Sequence, residues 1–448
     1  MRQAHRADKA VRTRPCSKMI PVIREVAFGN EAVLPDTPHP FTDAKSKIPT
    51  IVFAHLCGNS IQFELDEQVK NEKAKQVFKA FRSGWLEKNM EVAWYEFAKS
   101  VKSTGDAAFV GFRHKGKFGW KILSYTTGST LYPHYHPITG ELDLFARAFT
   151  VDENGETINY MEAWDNRNMY LFREDSKAGS TTISTSEQIY SIDGYALQSV
   201  TTHSFPFIPV TYFRDENGPC WSPSQDTIEQ YELAFSRMSQ NNAAYAFPIM
   251  YFKGDNVEIQ GSITRGTVTS VTMGKDDEAG FLNRQDVSSA FITQLDKLYK
   301  VIYEQSFAVI PPDLKSGDLP GVAVKLLYSP AYEKALTDAQ EYQHSIEQMQ
   351  TIFKEGYGTE IGMQREMTAL RLNSWIKPYI HQNWTETITN MAMAVQNGFL
   401  SRKRANEVAD EYATPQDWEQ ILSETKEEQQ HDLLLQTQKQ VNNVQTQE

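Results

Sequence analysis

The sequence predicts an α+β fold, on three observations. Apolar side chains recur at three- and four-residue steps over residues 69–102, which is the spacing of amphipathic helices. From residue 107 to about 215 the spacing changes to alternation within short runs separated by glycine-containing turns, as in antiparallel strands. From Trp221 onward long helical stretches return, and two of them flank a short-stranded segment. We therefore expect a mixed domain followed by long helices, with a small β module carried on two of them.

The composition excludes several classes of protein. The 448 residues are 40% hydrophobic and 12% aromatic, which suffices for a substantial core without disulfides or metal ions. No run approaches the ~18 consecutive apolar residues of a membrane-spanning helix, so an integral membrane protein is excluded. The formal charge of −12 argues against an ordinary nucleic-acid-binding protein but allows one that encloses DNA without gripping it.

The cysteines indicate a reducing site of synthesis. Cys16, Cys57 and Cys220 lie far apart, and such an odd, sparse set argues against a disulfide scaffold and against a thiolate zinc site. Cys57 follows His55 by two residues, and on a strand the pair would share one face. No third group that would orient the histidine is evident, so a packed cysteine is favoured over a thiol nucleophile.

Residues 1–19 form a basic arm without the apolar segment of a secretory signal. We expect a flexible, solvated tail, with a contact to a partner or a nucleic acid as the alternative. Met19 is an alternative start, because ordinary globular sequence begins there.

Residues 20–215 are expected to form the mixed domain. Its helical part is a pair of amphipathic helices that breaks near Gly84 or Asn89. Its β part is an antiparallel meander whose turns are indicated by KGKFG, HPITGE and DENGET, and which continues into FPFIPVTYF.

Two long helices are predicted around the β module. The first covers residues 221–246, with Ser224 as its N-cap. Residues 247–287 are short-stranded, and the second helix covers 288–310, where the Pro-Pro pair at 311–312 is expected to end it.

Helices are also predicted for most of the remaining chain. One runs from Val322 to about Tyr357, and another over 364–397 with a kink at Pro378. Residues 400–448 are expected to be helical at first and to end in a polar, Gln-rich tail.

The most enzyme-like motif is YPHYHP, in which His134 and His136 have the spacing of two zinc ligands on one side of a strand. Prolines flank the pair, and His114 is only a distant third ligand. A surface turn is favoured over a metal-dependent hydrolase or nuclease. We predict no catalytic residue, no metal ligand and no cofactor, and the string GKFGWK indicates a hairpin turn rather than a phosphate-binding loop.

An ordered set of segments resembles the siphophage-type portal proteins of tailed double-stranded-DNA bacteriophages. SFPFIPVTYFRDENGP precedes a long helix containing EQYELAFSRMSQNNAAYAFPIM, and DLPGVAVKLLYSPAYEKA opens a third helix after the β module and the second. The residues that match the family's motifs are Ile208–Val210, Arg214–Asn217 and Pro320–Tyr328. The resemblance spans residues 67–398, so the basic arm and the Gln-rich tail fall outside it.

The resemblance implies the portal fold, assembled as a closed ring of typically about twelve subunits around a DNA channel. In chain order the implied segments are the wing (20–215 and 365–398), the first stem helix (221–246), the clip (247–287), the second stem helix (288–310), the tunnel loop (311–321), long helices returning to the wing (322–398) and the helical crown (400–448).

The resemblance also implies which residues face DNA. The tunnel loop would form the narrowest part of the channel, and an acidic stem would repel phosphates so that DNA slides. The implied tunnel-loop residues are Pro311, Pro312, Asp313, Leu314, Lys315, Ser316, Gly317, Asp318, Leu319, Pro320 and Gly321, with Lys325 on the following helix. The implied stem residues are Asp226, Glu229, Glu232 and Arg237.

The implied function is that of the channel at one capsid vertex through which viral DNA is packaged and ejected. The implied partners are further copies of the chain, the terminase large subunit as the separate ATPase, head-completion or adaptor proteins, the major capsid and scaffold proteins, and double-stranded DNA without sequence specificity. No membrane contact is expected. The protein would be made in the bacterial host cytoplasm and reside in the virion. The alternative is another structural virion component, such as a head–tail adaptor or minor capsid protein, and, less favoured, a hydrolase using His134 and His136.

Overall fold

The computed structural model describes residues 44–66, 72–153, 155–175, 181–184, 189–246, 249–253, 258–260, 270–272, 278–282, 288–310, 321–379, 384–401, 405 and 426. The chain divides into two units, Met1–Leu314 with Tyr328–Tyr379, and Lys315–Leu327 with Ile380–Glu448. None of the helices in the described part of the chain combines the length and apolar character that a membrane crossing requires.

The order of elements is mixed, as the sequence predicts. The helices are α1 (Ala44–Cys57), α2 (Glu72–Glu87), α3 (Met90–Thr104), α4 (Gln225–Ala246), α5 (Ser288–Gln305), α6 (Gly321–Glu341), α7 (Gln343–Glu360), α8 (Gln364–Ala369) and α9 (Trp384–Gln396). The strands are β1 (Gln62–Leu65), β2 (Asp106–His114), β3 (Lys117–Leu123), β4 (Ser129–Tyr135), β5 (Leu142–Glu153), β6 (Glu156–Trp164), β7 (Asn168–Glu174), β8 (Thr181–Ser184), β9 (Ile189–Ile192), β10 (Tyr195–Thr202), β11 (Val210–Arg214), β12 (Ile249–Lys253), β13 (Glu258–Gln260), β14 (Ser270–Thr272), β15 (Glu278–Leu282) and β16 (Leu372–Trp375).

The predicted helical pair is confirmed, and its break lies at Asn89. This residue has φ 53°, a left-handed conformation that asparagine tolerates better than most side chains. Gly84 lies inside α2 instead. A Cβ there would sit 2.2 Å from Cε1 of Tyr357, so the absence of a side chain lets α7 approach α2 closely.

The antiparallel strands of the predicted meander are confirmed, but they do not form one continuous sheet. They form a five-stranded sheet in the order β10-β7-β6-β5-β4 and a three-stranded sheet in the order β11-β2-β3, because β11, in the FPFIPVTYF run, pairs back with β2. Each of the three predicted turns contains a glycine with positive φ, namely Gly116 (78°), Gly140 (71°) and Gly155 (88°). Only glycine adopts this conformation without a steric penalty, which explains why the turn signals in the sequence were reliable.

One strand of the meander was not expected. The motif YPHYHP was interpreted as a surface turn, but Tyr132 to Tyr135 belong to β4, which pairs with β5. Only His136 begins the turn, where its Nδ1 accepts hydrogen bonds from the backbone N–H groups of Ile138 (3.4 Å) and Thr139 (3.2 Å).

The main core lies where α7 meets the three-stranded sheet and the α2–α3 pair. Phe81, Trp85 and Phe353 pack mostly edge to face at centroid distances of 5.2–5.6 Å, an arrangement that aromatic quadrupoles favour. Glycines allow the close approach of α7. A Cβ on Gly356 would lie 2.2 Å from Phe118, and one on Gly111 would lie 2.3 Å from Ile352.

Two further predictions are wrong. His55 and Cys57 lie at the end of helix α1, not on a strand, although Cys57 is packed against the core as expected. The single helix predicted over 364–397 is divided into α8, β16 and α9. Strand β16 pairs with β1 from the start of the domain, and this distant pairing outweighs the local helical pattern.

The β module lies between two helices, as predicted. Helices α4 and α5 pack against each other, and the segment between them contributes two antiparallel strand pairs, β12 with β15 and β13 with β14. We call α4 and α5 the helical hairpin. The long helix expected from Val322 to Tyr357 is present as α6 and α7, which are interrupted at Tyr342.

Candidate functional site

The base of the helical hairpin is joined by hydrogen bonds. The buried hydroxyl of Ser224 donates to the carbonyl oxygen of Ile302 at 2.6 Å, and Thr227 donates to Oε1 of Gln305 at 3.0 Å. Ser224 was predicted as the N-cap of α4, but its hydroxyl holds the partner helix instead. The base of the hairpin is therefore closed by polar contacts as well as by apolar packing.

The four predicted stem residues do not share one surface. The side chains of Asp226 and Arg237 are exposed and that of Glu229 is half-buried. Glu232 is fully buried, contrary to the expectation that it faces a channel. Glu229 accepts a hydrogen bond from Nε2 of Gln225 on the same helix. Of the four predicted stem residues, only Asp226, Glu229 and Arg237 thus retain exposed surface.

Helix α5 ends earlier than predicted. Its last residue is Gln305, so the Pro-Pro pair at 311–312 does not end it. Phe307 follows with φ 57°, and the N–H of Ala308 donates to the carbonyl of Tyr303 at 3.0 Å, a left-handed helix end. The hydroxyl of Ser306 donates to two of the last carbonyl oxygens.

The predicted tunnel-loop residues lie almost wholly outside the described residues. Pro311 to Pro320 are not described, so their contact with DNA stays a prediction. Gly321 is the first residue of α6, and Lys325, four residues later on the same helix, is half-buried.

The turn that precedes the helical hairpin, residues 214–218, is anchored to the end of α3. The N–H of Asp215 donates to the carbonyl of Gly105 at 2.9 Å, while its carboxylate accepts from the N–H of Asn217 at 3.0 Å. The indole N–H of Trp221 donates to the carbonyl of Ser103 at 3.0 Å. The turn that carried the family resemblance therefore fixes where α4 begins.

A buried charge cluster lies beneath this turn. Lys102 of α3 is 1% exposed, and its Nζ lies 2.9 Å from Oδ1 of Asp338 and 3.6 Å from Oδ2 of Asp215. Lys334, one turn earlier on α6, contributes a second cation 2.7 Å from the same oxygen of Asp338. We use the name buried charge cluster for Lys102, Asp215, Lys334 and Asp338. It joins α3, the turn before the hairpin, and α6.

The cluster balances two cations against two carboxylates, which is the condition for burying charge. Burial alone would lower the pKa of Lys334, but the hydrogen bond and charge of Asp338 outweigh it and raise this pKa. Burial, then the charge of Asp338, raises the pKa of Tyr342 well above its usual value, so the phenol beside Lys102 stays neutral. The ring centroid of Tyr342 lies 5.6 Å from the Lys102 ammonium, within cation–π distance.

The two cysteines near this cluster are unreactive thiols. Burial raises the pKa of Cys220 to about 12 and also raises the pKa of Cys57, so neither forms a thiolate at neutral pH. The ring of His55 hydrogen-bonds the carbonyl of Tyr379 at 2.9 Å. Chemistry at Cys57 has no support from this geometry.

Sequence reasoning missed the buried charge cluster. Lys102 lies four residues after Ala98 and eight after Trp94, on the stripe of α3 that faces the core, and this spacing was the available signal. In the part of the chain that the structure describes, His134, His136 and His114 are not part of any arrangement that could hold a metal ion. Within the described residues no three His, Cys, Asp or Glu side chains are arranged to hold a metal ion.

The mixed domain, the anchored turn and the helical hairpin with its β module follow one another in the order that the resemblance to phage portal proteins implies. The family model described as phage portal protein, SPP1 Gp6-like, matches residues 48–431, and the chain belongs to this family. It is a structural protein of the virion, in which portal subunits form a ring with capsid and tail partners.

More distant similarities are also found. A chain of the virion of a native gene transfer agent particle is 11% identical, with a TM-score of 0.40 over 86% of this chain and 90% of that chain. A chain of the neck of an empty gene transfer agent particle, computed with C6 symmetry, is 11% identical with a TM-score of 0.39, over 83% and 90%. No curated protein shows significant sequence similarity to the chain.

Proposed function

We propose that the chain forms a closed ring of about twelve subunits whose central channel conducts double-stranded DNA into and out of the capsid. The observation that supports this best is the exposure of α5. Between Ser289 and Val301 only Leu295 is buried, while Ile292 is 54% and Tyr299 44% exposed. A long helix with so little cover from its own subunit gains stability when neighbouring subunits pack on it.

The charge of the chain supports passage of DNA without capture. The net charge is −12, and the exposed surface of α4 retains Asp226 and Glu229 against Arg237. Each phosphate that a protein neutralises adds salt-dependent affinity, which would slow movement. We propose that DNA passes through without sequence specificity and that the tunnel loop, residues 311–321, contacts it.

The buried charge cluster has a mechanical role in the proposed channel. We propose that it holds α6, which begins at the end of the tunnel loop, in a fixed position relative to the turn that starts α4. Because a buried ion pair tolerates few geometries, a displacement of the loop would be passed to the base of the hairpin rather than absorbed locally.

The segments would then have the roles implied by the family. Residues 20–215 with 365–398 form the wing, 247–287 the clip, and 400–448 the crown. The sequence has no phosphate-binding loop, so ATP hydrolysis belongs to a terminase that docks on the clip. Adaptor, major capsid and scaffold proteins are the further partners that we propose.

Deletion of residues 255–283 tests the assignment of the clip. We expect the variant to keep a folded wing and to lose terminase binding, tail attachment and DNA packaging. The control is Ile138→Ser, a change at a turn residue that is 88% exposed and lies outside the clip, which should package normally. A deletion variant that still packages DNA would show that the clip lies elsewhere in the chain.

A further inference from the structure

Phe307, two residues after the last residue of helix α5, has a backbone conformation that does not suit its side chain. Its φ is 57°, in the left-handed region, where a bulky residue is a genuine outlier and glycine or asparagine is usual. The conformation itself is required. It turns the chain so that Ala308, 3% exposed, and Ile310 pack into the cluster around Trp221 and Tyr303.

Within the described part of the chain, packing compensates Phe307 only in part for this strain. The side chain is 47% exposed, so its aromatic ring gains only part of the stabilisation that full burial would give a phenylalanine. Asparagine would make the same turn with less strain and without exposing an aromatic ring. An aromatic residue that is both strained and exposed in the isolated subunit is explained by a contact outside the subunit.

We propose that Phe307 is an anchor residue of the ring interface and inserts into an apolar surface of a neighbouring copy of this chain. The partner is a second copy because α5, whose last residue lies two positions before Phe307, exposes the apolar side chains of Ile292, Tyr299 and Val301, and a neighbouring subunit of the ring would cover this surface. In a ring the contact is heterologous, so each subunit presents Phe307 to a different surface of the next subunit. Aromatic side chains are typical of the few residues that dominate interface energetics.

The test compares ring assembly of full-length variants by mass photometry over a range of protein concentrations. Phe307→Asn keeps the left-handed turn of the backbone and removes the aromatic side chain. We expect its midpoint concentration for assembly to rise about tenfold or more, with the melting temperature of the subunit unchanged or higher. Phe307→Tyr should assemble within about twofold of the wild type.

The matched control is Lys115→Asn. Lys115 also has a positive φ, 52°, but lies at an exposed hairpin turn. The same substitution there should relieve strain without affecting assembly. If Phe307→Asn assembles like the wild type, the proposal is wrong.

A second measurement applies if Phe307→Asn does not fold. With p-benzoylphenylalanine in place of Phe307 in assembled particles, irradiation should cross-link neighbouring copies, and cross-links confined to one chain would overturn the proposal. The inference rests on the proposed ring. A wild-type chain that forms no ring, even in particles, overturns the proposed function and this inference together, whereas normal rings of Phe307→Asn overturn this inference alone.

Discussion

The ammonium of Lys102 lies 2.9 Å from Oδ1 of Asp338, and both side chains are shielded from solvent. The pair joins the helix before the three-stranded sheet to the helix after the tunnel loop. Oδ2 of Asp215 lies 3.6 Å from the same ammonium. One cation therefore holds together segments that are far apart in the sequence.

Lys102→Met removes this cation and leaves Asp215 buried without it. Removing one partner of a buried ion pair costs about 3–5 kcal/mol, and we expect the lower end because Lys334 still neutralises Asp338. Denaturant unfolding measures the loss. The control, Lys99→Met, changes an exposed lysine on the same helix and should alter stability by less than about 0.5 kcal/mol. Equal stability of Lys102→Met and Lys99→Met would contradict the role assigned to the cluster.

The stability of the folded chain should depend on pH through the carboxyl group of Glu162. It accepts hydrogen bonds from Arg147 (2.7 Å) and Lys121 (3.2 Å) and so links the two sheets of the mixed domain. Burial alone would raise the pKa of Glu162, but the hydrogen bond from Arg147 and the charge of Lys121 outweigh it and lower this pKa below 4.5. A lowered folded-state pKa adds stability above the unfolded value, and this stability is lost as pH falls through the folded value.

The test of this link is Glu162→Gln. We expect it to reduce the free energy of unfolding by about 2 kcal/mol at pH 7, the usual worth of a hydrogen bond to a charged group. The difference from the wild type should shrink at acid pH, as pH falls through the lowered pKa of the wild-type carboxyl and protonates it. A difference that is the same at neutral and acid pH would show that the charge of Glu162 does not matter.

Gly84→Ala tests the packing of α7 against α2. The added methyl group would sit 2.2 Å from Tyr357, and we expect overpacking to cost about 1–3 kcal/mol despite the better helix propensity of alanine. Ser83→Ala, at the exposed neighbouring position, should be neutral or slightly stabilising. Combining Gly84→Ala with Tyr357→Ala should cost less than the sum of the single changes. Strict additivity would argue against the contact.

The helices and turns that could be predicted from the sequence are those that depend on the conformation of residues within the same short segment. Asn89 broke the helical pair because it tolerates a left-handed conformation, and Gly116, Gly140 and Gly155 set the turns of the meander. Strand β16 could not be predicted, since the strand that completes it, β1, is distant in the sequence.

The same distinction between local and distant causes applies to the residues of the candidate site. The turn that contains Asp215 was recognised from its residues, but the burial of Lys102 depends on partners from two other parts of the chain. Glu232 was expected on a channel surface as an acidic residue of the implied stem helix, whereas its position on α4 buries it. Charge patterns do not reveal which face of a helix packs against its own subunit.

The most direct test of the proposed ring is electron microscopy of the full-length protein, purified and in assembled particles. We expect closed rings of about twelve subunits with a central channel, because α5 and Phe307 expose apolar surface that neighbouring copies cover. A chain that remains monomeric in solution and forms no ring at a capsid vertex would contradict it.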